Sequence, residues 1–145
     1  MIRLSRLSDY AIVLVCKMST SMDETFSARQ LHEATYISQS AIMKIMKILA
    51  ISGLVTSVRG ASGGYNLASD PGDISILDIV KAIDGPVSVT LCNKKTTDKP
   101  CIFEAQCMAK TGWGIVNTSL KETLSSFSIA DFITAHTVNH NKNKG

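Results

Sequence analysis

The stretch Leu54-Val-Thr-Ser-Val-Arg-Gly-Ala-Ser-Gly-Gly-Tyr-Asn-Leu-Ala68 decides the fold of this chain. Its first five residues are rich in β-branched side chains, which is typical of a strand. The glycine-rich segment from Arg59 to Gly64 predicts a turn, and the segment 65–68 predicts the returning strand. The stretch therefore predicts a β-hairpin with Arg59 in its turn.

Two short helices are predicted directly before the hairpin. The first begins at Ser27-Ala-Arg-Gln30, which has the form of a capping box, and it ends near Tyr36. The second opens at Ser38, and Gly53 is a natural residue just beyond its end. Its apolar residues recur at i, i+3, i+4 and i+7 and form a one-sided stripe, namely Ile42, Ile45, Met46 and Leu49.

Helix, turn, helix and hairpin in this order is the layout of a winged helix, a fold that binds DNA. The polar face of the second helix of the pair would be the recognition surface. Arg59 in the wing would enter the DNA minor groove, where a narrow groove enhances the negative potential. The alternative for Arg59 is an ordinary exposed hairpin tip. The residues of the predicted recognition face are Gln39, Ser40, Met43, Lys44 and Lys47.

Two further helices are predicted around this unit. One starts near Ser8, because Leu7, Ala11, Leu14, Val15 and Met18 recur at helical spacing. The other opens at Ser75 and is stopped by Gly85-Pro86. Cys16 lies in the apolar segment of the first of these helices, so it is predicted to be a small buried side chain rather than a ligand.

A long helix is predicted from about Met108 to Phe127, with a coiled-coil-like apolar seam. The seam either packs back onto its own domain or joins two chains in a two-fold dimer, and the dimer is favoured because the helix lies beyond a self-sufficient core. A short last helix starts at Ser128. The seam residues are Ala109, Trp113, Val116, Leu120, Leu124 and Phe127.

Three cysteines lie within sixteen residues, spaced C-x8-C-x5-C, and eight residues without a single apolar side chain separate the first two. Thiolates in a polar loop indicate a soft-metal or iron–sulfur site. The alternatives are a disulfide, which an odd number of thiols fits poorly, or three incidental thiols. The spacing is not the C-x2-C pair of a standard zinc site. The three residues are Cys92, Cys101 and Cys107.

The predicted architecture is mainly α with a small β-hairpin wing. It comprises a winged-helix DNA-binding domain over 1–86, a cysteine loop over 87–107, a long dimerisation helix with a terminal helix over 108–134, and a disordered tail over 135–145.

Composition agrees with an intracellular DNA-binding protein. The chain has 15 Lys and Arg against 12 Asp and Glu, and its net charge of +3 permits a nucleic-acid partner. No stretch is long enough to span a membrane, and the N-terminal apolar run is too short for a signal peptide. Four cysteines without such a signal predict a reducing, cytoplasmic location. The lack of a C-x-x-C motif or a general base near the cysteine loop argues against a redox enzyme.

In combination, several motifs resemble the family of winged-helix iron–sulfur regulators, which includes the IscR and NsrR types. The resemblance spans Met1 to about Ile133 and is greatest to the subgroup that regulates SUF-type iron–sulfur assembly operons. It implies a homodimer joined through the long helix and an iron–sulfur cluster near the dimer interface. The motifs are Arg3-Leu-Ser-Arg-Leu-Ser-Asp-Tyr-Ala11, Gly53-Leu-Val-Thr-Ser-Val-Arg-Gly60, Gly63-Gly-Tyr-Asn-Leu67, Ile76-Leu-Asp-Ile-Val80 and the three spaced cysteines.

The resemblance also implies a set of cluster ligands. The three cysteines match the family triad, but Lys110 stands where the IscR type has a histidine ligand. The NsrR type takes an aspartate from the first helix of the partner subunit, and Asp9 matches it. The alternative for Asp9 is an acidic residue at a helix N-terminus, where the helix dipole favours negative charge. Glu104 is a further candidate for the fourth ligand. The cluster type, [2Fe–2S] or [4Fe–4S], stays open.

The resemblance extends to the residues that read DNA. Ser38 and Ser40 fit the family pattern in the recognition helix, Arg59 matches the wing arginine, and Met43 replaces an acidic residue of the IscR type. The predicted function is a DNA-binding transcriptional regulator, a repressor, whose operator affinity is controlled by an iron–sulfur cluster. The alternatives are a nitric-oxide or redox sensor of the same family and a constitutive zinc-stabilised DNA-binding module.

Overall fold

The computed structural model describes residues 3–90, 101–103 and 105–142. Within these ranges the chain forms six α-helices and one antiparallel hairpin, so the predicted mainly α fold with a small wing is confirmed. The elements in order are α1 (Arg6–Met18), α2 (Ala28–Thr35), α3 (Gln39–Ile51), β1 (Val55–Val58), β2 (Gly64–Leu67), α4 (Ile76–Asp84), α5 (Lys110–Ser126) and α6 (Ile129–Lys142).

Serine hydroxyls define where the first four helices begin. Ser5, Ser27, Ser38 and Ser75 each accept a hydrogen bond from a backbone N–H in the first turn of the helix that follows. Such caps satisfy N–H groups that have no partner within the helix. The capping box predicted at Ser27 is present. Because Ser5 is the cap of α1, that helix starts two residues before the predicted position.

The hydrophobic core lies between α1, α3 and α4, and the start of α6 completes it. Ile129 is fully buried, and its N–H donates to the carbonyl of Ile74 at 2.9 Å. The N–H of Ile76 likewise donates to the carbonyl of Phe127 at 2.9 Å, so the segments that precede α4 and α6 are bonded to each other. The fully buried residues of the helices include Ala11, Leu14, Val15, Leu31, Ile42, Ile45, Met46, Leu49, Ile79 and Ile129.

The hairpin is attached to the helices at the segment before α2. Val55 pairs with Leu67 and Val58 with Gly64 along the two strands. Phe26 and Tyr65 form an isolated bridge, with N–H to carbonyl distances of 3.0 and 2.9 Å. The wing therefore has a defined position relative to α2.

The C-terminal end differs from its prediction. Helix α6 continues to Lys142, so the prediction of disorder was wrong for 135–142, while 143–145 lie outside the described residues. Ser128 and Asp131 cap this helix through hydrogen bonds of 2.7 Å, and extending an established helix costs far less than starting one. No helix within the described ranges is long and apolar enough to cross a bilayer.

Candidate DNA-binding surface and cysteine segment

Helix α3 has one fully buried face and one exposed face, as its periodicity predicts. The apolar stripe Ile42, Ile45, Met46 and Leu49 has no exposed area. The helix contains two lysines and no carboxylate, so a polyanion can approach the exposed face without meeting a like charge. The exposed residues on or next to that face are Ser38, Gln39, Ser40, Met43, Lys44 and Lys47.

Arg59 lies at the tip of the wing and is exposed. It follows the last residue of β1 directly, and the turn that it begins is closed by a hydrogen bond from the Gly63 N–H to the Gly60 carbonyl at 3.0 Å. A guanidinium group at a hairpin tip can enter a minor groove or contact phosphate. All seven residues predicted to bind DNA are thus available to solvent.

The cysteine segment is described in part. Cys101 and Cys107 are unpaired thiols of intermediate exposure, whereas Cys92 and Glu104 lie outside the described residues. Cys107 lies three residues before the start of α5, and its carbonyl accepts a hydrogen bond from the Lys110 N–H at 3.3 Å. Across 3–90, 101–103 and 105–142, no three His, Cys, Asp or Glu side chains come together in a metal-binding group.

Asp9 and Cys16 lie in a groove between α1 and α6. The groove has a volume of about 540 Å³, and Asp9 and Cys16 line it together with Phe132, Ile133 and His136. Asp9 is exposed in the first turn of α1. Cys16 packs against the core, but it is only partly buried rather than fully buried as predicted. This burial raises the pKa of its thiol, which therefore stays protonated at neutral pH.

Two polar contacts that local sequence patterns do not reveal flank the cysteine loop. Asn117 on α5 is only 4% exposed, and its Oδ1 accepts from the Val89 N–H at 2.9 Å. On the other side, the buried Ser8 hydroxyl donates to Asp84 Oδ2 at 2.7 Å. These contacts connect the chain that leaves α4 to α5 and to α1.

The apolar seam of α5 is divided between two environments. Leu124 packs against the core, and Leu120 and Leu124 line a cavity of about 390 Å³ beside α4. Nearer the two ends of the seam, Trp113, Val116 and Phe127 are 39%, 45% and 50% exposed. The seam therefore packs on its own domain at Leu120 and Leu124 and presents apolar side chains to solvent on either side of them.

A helix-turn-helix, formed by α2 and α3, followed by a β-hairpin wing is the architecture of a winged-helix DNA-binding protein. The family model of Rrf2, described as an iron-dependent transcriptional regulator, matches residues 4–135. The chain belongs to this family and is a helix-turn-helix transcriptional regulator, so the prediction that it is not an enzyme is confirmed.

Individual relatives agree with the family. The chain is 27% identical over 137 residues to the transcriptional regulator IscR of Photobacterium profundum, covering 94% of this chain and 78% of that one. It is 34% identical over 94 residues to a putative rrf2-like regulator of Rhodobacter capsulatus, and this match spans only 63% of each chain.

Solved structures show the same fold. IscR of T. potens superposes with a TM-score of 0.71 at 26% identity, covering 93% of this chain and 88% of that one. CymR of B. subtilis, a global cysteine regulator, gives a TM-score of 0.72 at 23% identity over 93% of this chain and 98% of that one. The resemblance to winged-helix regulators of the IscR type, drawn from the sequence motifs, is confirmed.

Proposed function

We propose that this chain is a homodimeric repressor whose operator affinity is controlled by an iron–sulfur cluster, and that it regulates iron–sulfur assembly genes. The observation that carries the proposal is the pair of unpaired, partly exposed thiols of Cys101 and Cys107, in the segment between the DNA-binding unit and α5. The family description and the IscR relatives support an iron-dependent function.

The donor set fits an iron–sulfur cluster better than a disulfide. Cys101 and Cys107 are not bonded to each other, and with Cys92 they would provide three soft thiolates. Cys107 lies three residues before Lys110, the first residue of α5, and the Ala109 cap of that helix has no side-chain hydrogen bond. A helix N-terminus favours negative charge, such as that of a thiolate-ligated cluster. When bound, the cluster would supply a centre that responds to oxidation, nitric oxide or iron supply.

The described contacts indicate how that segment would influence the DNA-binding surface. Helix α4 packs on both α3 and α5, and Asn117 connects the chain after α4 to α5. A cluster can change DNA affinity only if it binds two arrangements of these elements with different affinity. In a dimer the relevant variable is the separation of the two α3 helices, which must match half-sites roughly 34 Å apart.

The proposed dimer would use the exposed part of the α5 seam. Trp113 and Val116, one helical turn apart and both exposed, present apolar side chains at the N-terminal end of α5 that a second copy of the helix would cover. Ser38, Gln39, Ser40, Met43, Lys44 and Lys47 of each chain would then contact the major groove, and Arg59 the minor groove.

The test compares the cluster-loaded and apo forms of the protein purified without oxygen. The probes are a DNA duplex selected by the wild-type protein from a random pool and an unselected duplex. We expect a brown protein whose two forms differ at least about tenfold in affinity for the selected duplex, about 1.4 kcal/mol. A colourless zinc-containing protein, or equal affinity of the two forms, would contradict cluster control and favour the constitutive zinc-stabilised module.

Asp9 is the proposed fourth ligand, supplied by the partner chain. Three cysteines leave one position open on a cluster that usually has four protein ligands. We expect Asp9→Ala to keep the fold and the dimer but to make the cluster labile or change its type, because a carboxylate is a harder and weaker ligand than a thiolate. Iron retention after dilution measures this, and Asp23→Ala, another exposed acid, is the matched control.

Mixed dimers decide whether Asp9 acts in trans. One subunit lacks Asp9 and the other lacks the three cysteines, so the one intact triad faces an intact Asp9 across the interface. Its cluster should be as stable as in the wild-type protein. If that cluster is as labile as in the Asp9→Ala homodimer, the assignment in trans is wrong.

A further inference from the structure

The turn between α2 and α3 holds a tyrosine in the left-handed backbone region. Tyr36 has φ 59° and ψ 9°, and it is the one non-glycine residue with positive φ among 3–90, 101–103 and 105–142. This conformation costs most L-residues roughly 1–2 kcal/mol, whereas glycine adopts it without a steric penalty. A side chain kept at such a position needs a reason beyond the turn itself.

No contact within the described part of the chain provides that reason. The Tyr36 side chain is 89% exposed, so its ring contributes almost no apolar burial. The turn is held instead by backbone groups and neighbours: the Tyr36 N–H donates to the His32 carbonyl at 2.8 Å, and His32 Nδ1 donates to the carbonyl of the buried Ile37 at 2.8 Å. A glycine at position 36 could make the same backbone bond.

The position of Tyr36 places it beside the proposed DNA site. It lies two residues before Ser38, the N-cap of α3. Because consecutive Cα atoms are 3.80 Å apart, the Cα atoms of Tyr36 and Ser38 are separated by at most about 7.6 Å. The N-terminal end of a recognition helix enters a major groove roughly 12 Å wide, so a residue this close to it lies near the phosphates at the groove edge.

We propose that Tyr36 is a DNA-positioning residue whose phenol hydroxyl donates a hydrogen bond to a backbone phosphate at the edge of the groove that receives α3. This inference rests on the proposed role of α3 as the recognition helix. The rigid turn fixes the Cα of Tyr36, which lowers the entropy lost when the contact forms. Tyrosine is among the side chains that contact phosphate, and such contacts set register and orientation without reading sequence.

A neutral donor has a distinctive signature in DNA titrations. It displaces no condensed counterion through its own charge, so removing it should not change the dependence of affinity on salt. We expect Tyr36→Phe, which retains the ring, to weaken binding about tenfold per dimer for the selected and the unselected duplex alike. Tyr36→Gly should weaken DNA binding at least as much. It should also raise the melting temperature of the protein, because glycine adopts the positive φ at this position without steric strain.

Two controls separate this inference from the proposed function. Arg59→Ala should reduce both affinity and the salt slope, the latter by about two units for the dimer, if the wing lies on DNA. Tyr10→Phe, at a partly buried tyrosine of α1, should change neither the affinity for DNA nor the salt slope. If Arg59→Ala lowers the slope but Tyr36→Phe binds like the wild type, the Tyr36 inference is overturned and the DNA-binding surface stands.

Two other outcomes are equally decisive. Unchanged binding in both the Arg59 and the Tyr36 variants would remove the proposed surface itself. A loss confined to the selected duplex would show that Tyr36 contacts a base rather than a phosphate, which also overturns the inference. The result that supports it is an equal loss on both duplexes with an unchanged salt slope.

Discussion

Replacing either Cys101 or Cys107 by alanine is expected to abolish cluster binding while leaving the chain folded. Both thiols are unpaired and partly exposed, and neither belongs to the apolar core, so their loss should change the free energy of unfolding of the apo protein by less than about 1 kcal/mol. Each would remove one of three thiolate ligands. Iron and acid-labile sulfide per chain, measured beside the melting curve, test the prediction, and Cys92→Ala should behave in the same way.

Cys16 provides the matched control for these variants. It packs against the core, and burial raises the pKa of its thiol, so it is a poor ligand. Cys16→Ala should keep the full cluster and lose modest stability. A full cluster in the Cys101 or Cys107 variant would show that the altered residue is not a ligand. If the Cys92, Cys101 and Cys107 variants all lose the dimer, the three thiols have a structural role instead.

Much of the DNA-binding unit could be predicted because its determinants are local. Capping serines, the i, i+3, i+4, i+7 stripe of α3 and the β-branched residues of β1 each act over a few residues, and the structure has a cap, a buried stripe and a strand at these places. The exposed face of α3 follows from the same periodicity, because residues that are not in the buried stripe must face outward. The candidate DNA-binding residues were therefore accessible to sequence analysis.

The contacts around the cysteine loop could not be predicted in this way. Asn117 and Val89 are 28 residues apart, and Ser8 and Asp84 are 76 apart. Nothing in the period of α5 distinguishes Asn117 as buried, because burial there depends on where the chain after α4 returns. For the same reason, the periodicity of α5 does not show that Leu124 packs against the core while Trp113, Val116 and Phe127 are exposed.

Tyr36 shows a different limit of local patterns. The left-handed region at the end of a helix is most often signalled by glycine, and a tyrosine there gives no such signal. The sequence indicated only that α2 ends near this residue. Its conformation follows from the buried Ile37 and the hydrogen bond of His32, which together fix the geometry of the turn.

Gly64→Ala is expected to destabilise the protein by about 3 kcal/mol, the upper end of the usual cost of overpacking, and to reduce DNA binding strongly. A Cβ at position 64 would lie 2.4 Å from the Phe26 carbonyl oxygen and 2.9 Å from the Ser27 nitrogen. Both are backbone atoms, so the clash cannot be relieved by rotating a side chain, and steric overpacking of this kind is costly. Phe26 is buried, which leaves the hairpin as the part that must move.

Movement of the hairpin would break the bridge between Phe26 and Tyr65, whose two hydrogen bonds of 3.0 and 2.9 Å attach the wing to the segment before α2. Arg59 would lose its fixed position, so DNA affinity should fall even at temperatures where the helices remain folded. The control is Gly112→Ala in α5, where a Cβ would meet no atom within 4 Å. Replacing a glycine inside a helix by alanine should raise stability by roughly 0.5–1 kcal/mol. Thermal melts and DNA titrations of both variants test the attachment directly: if Gly64→Ala melts and binds like the wild type, the wing is not held at Phe26.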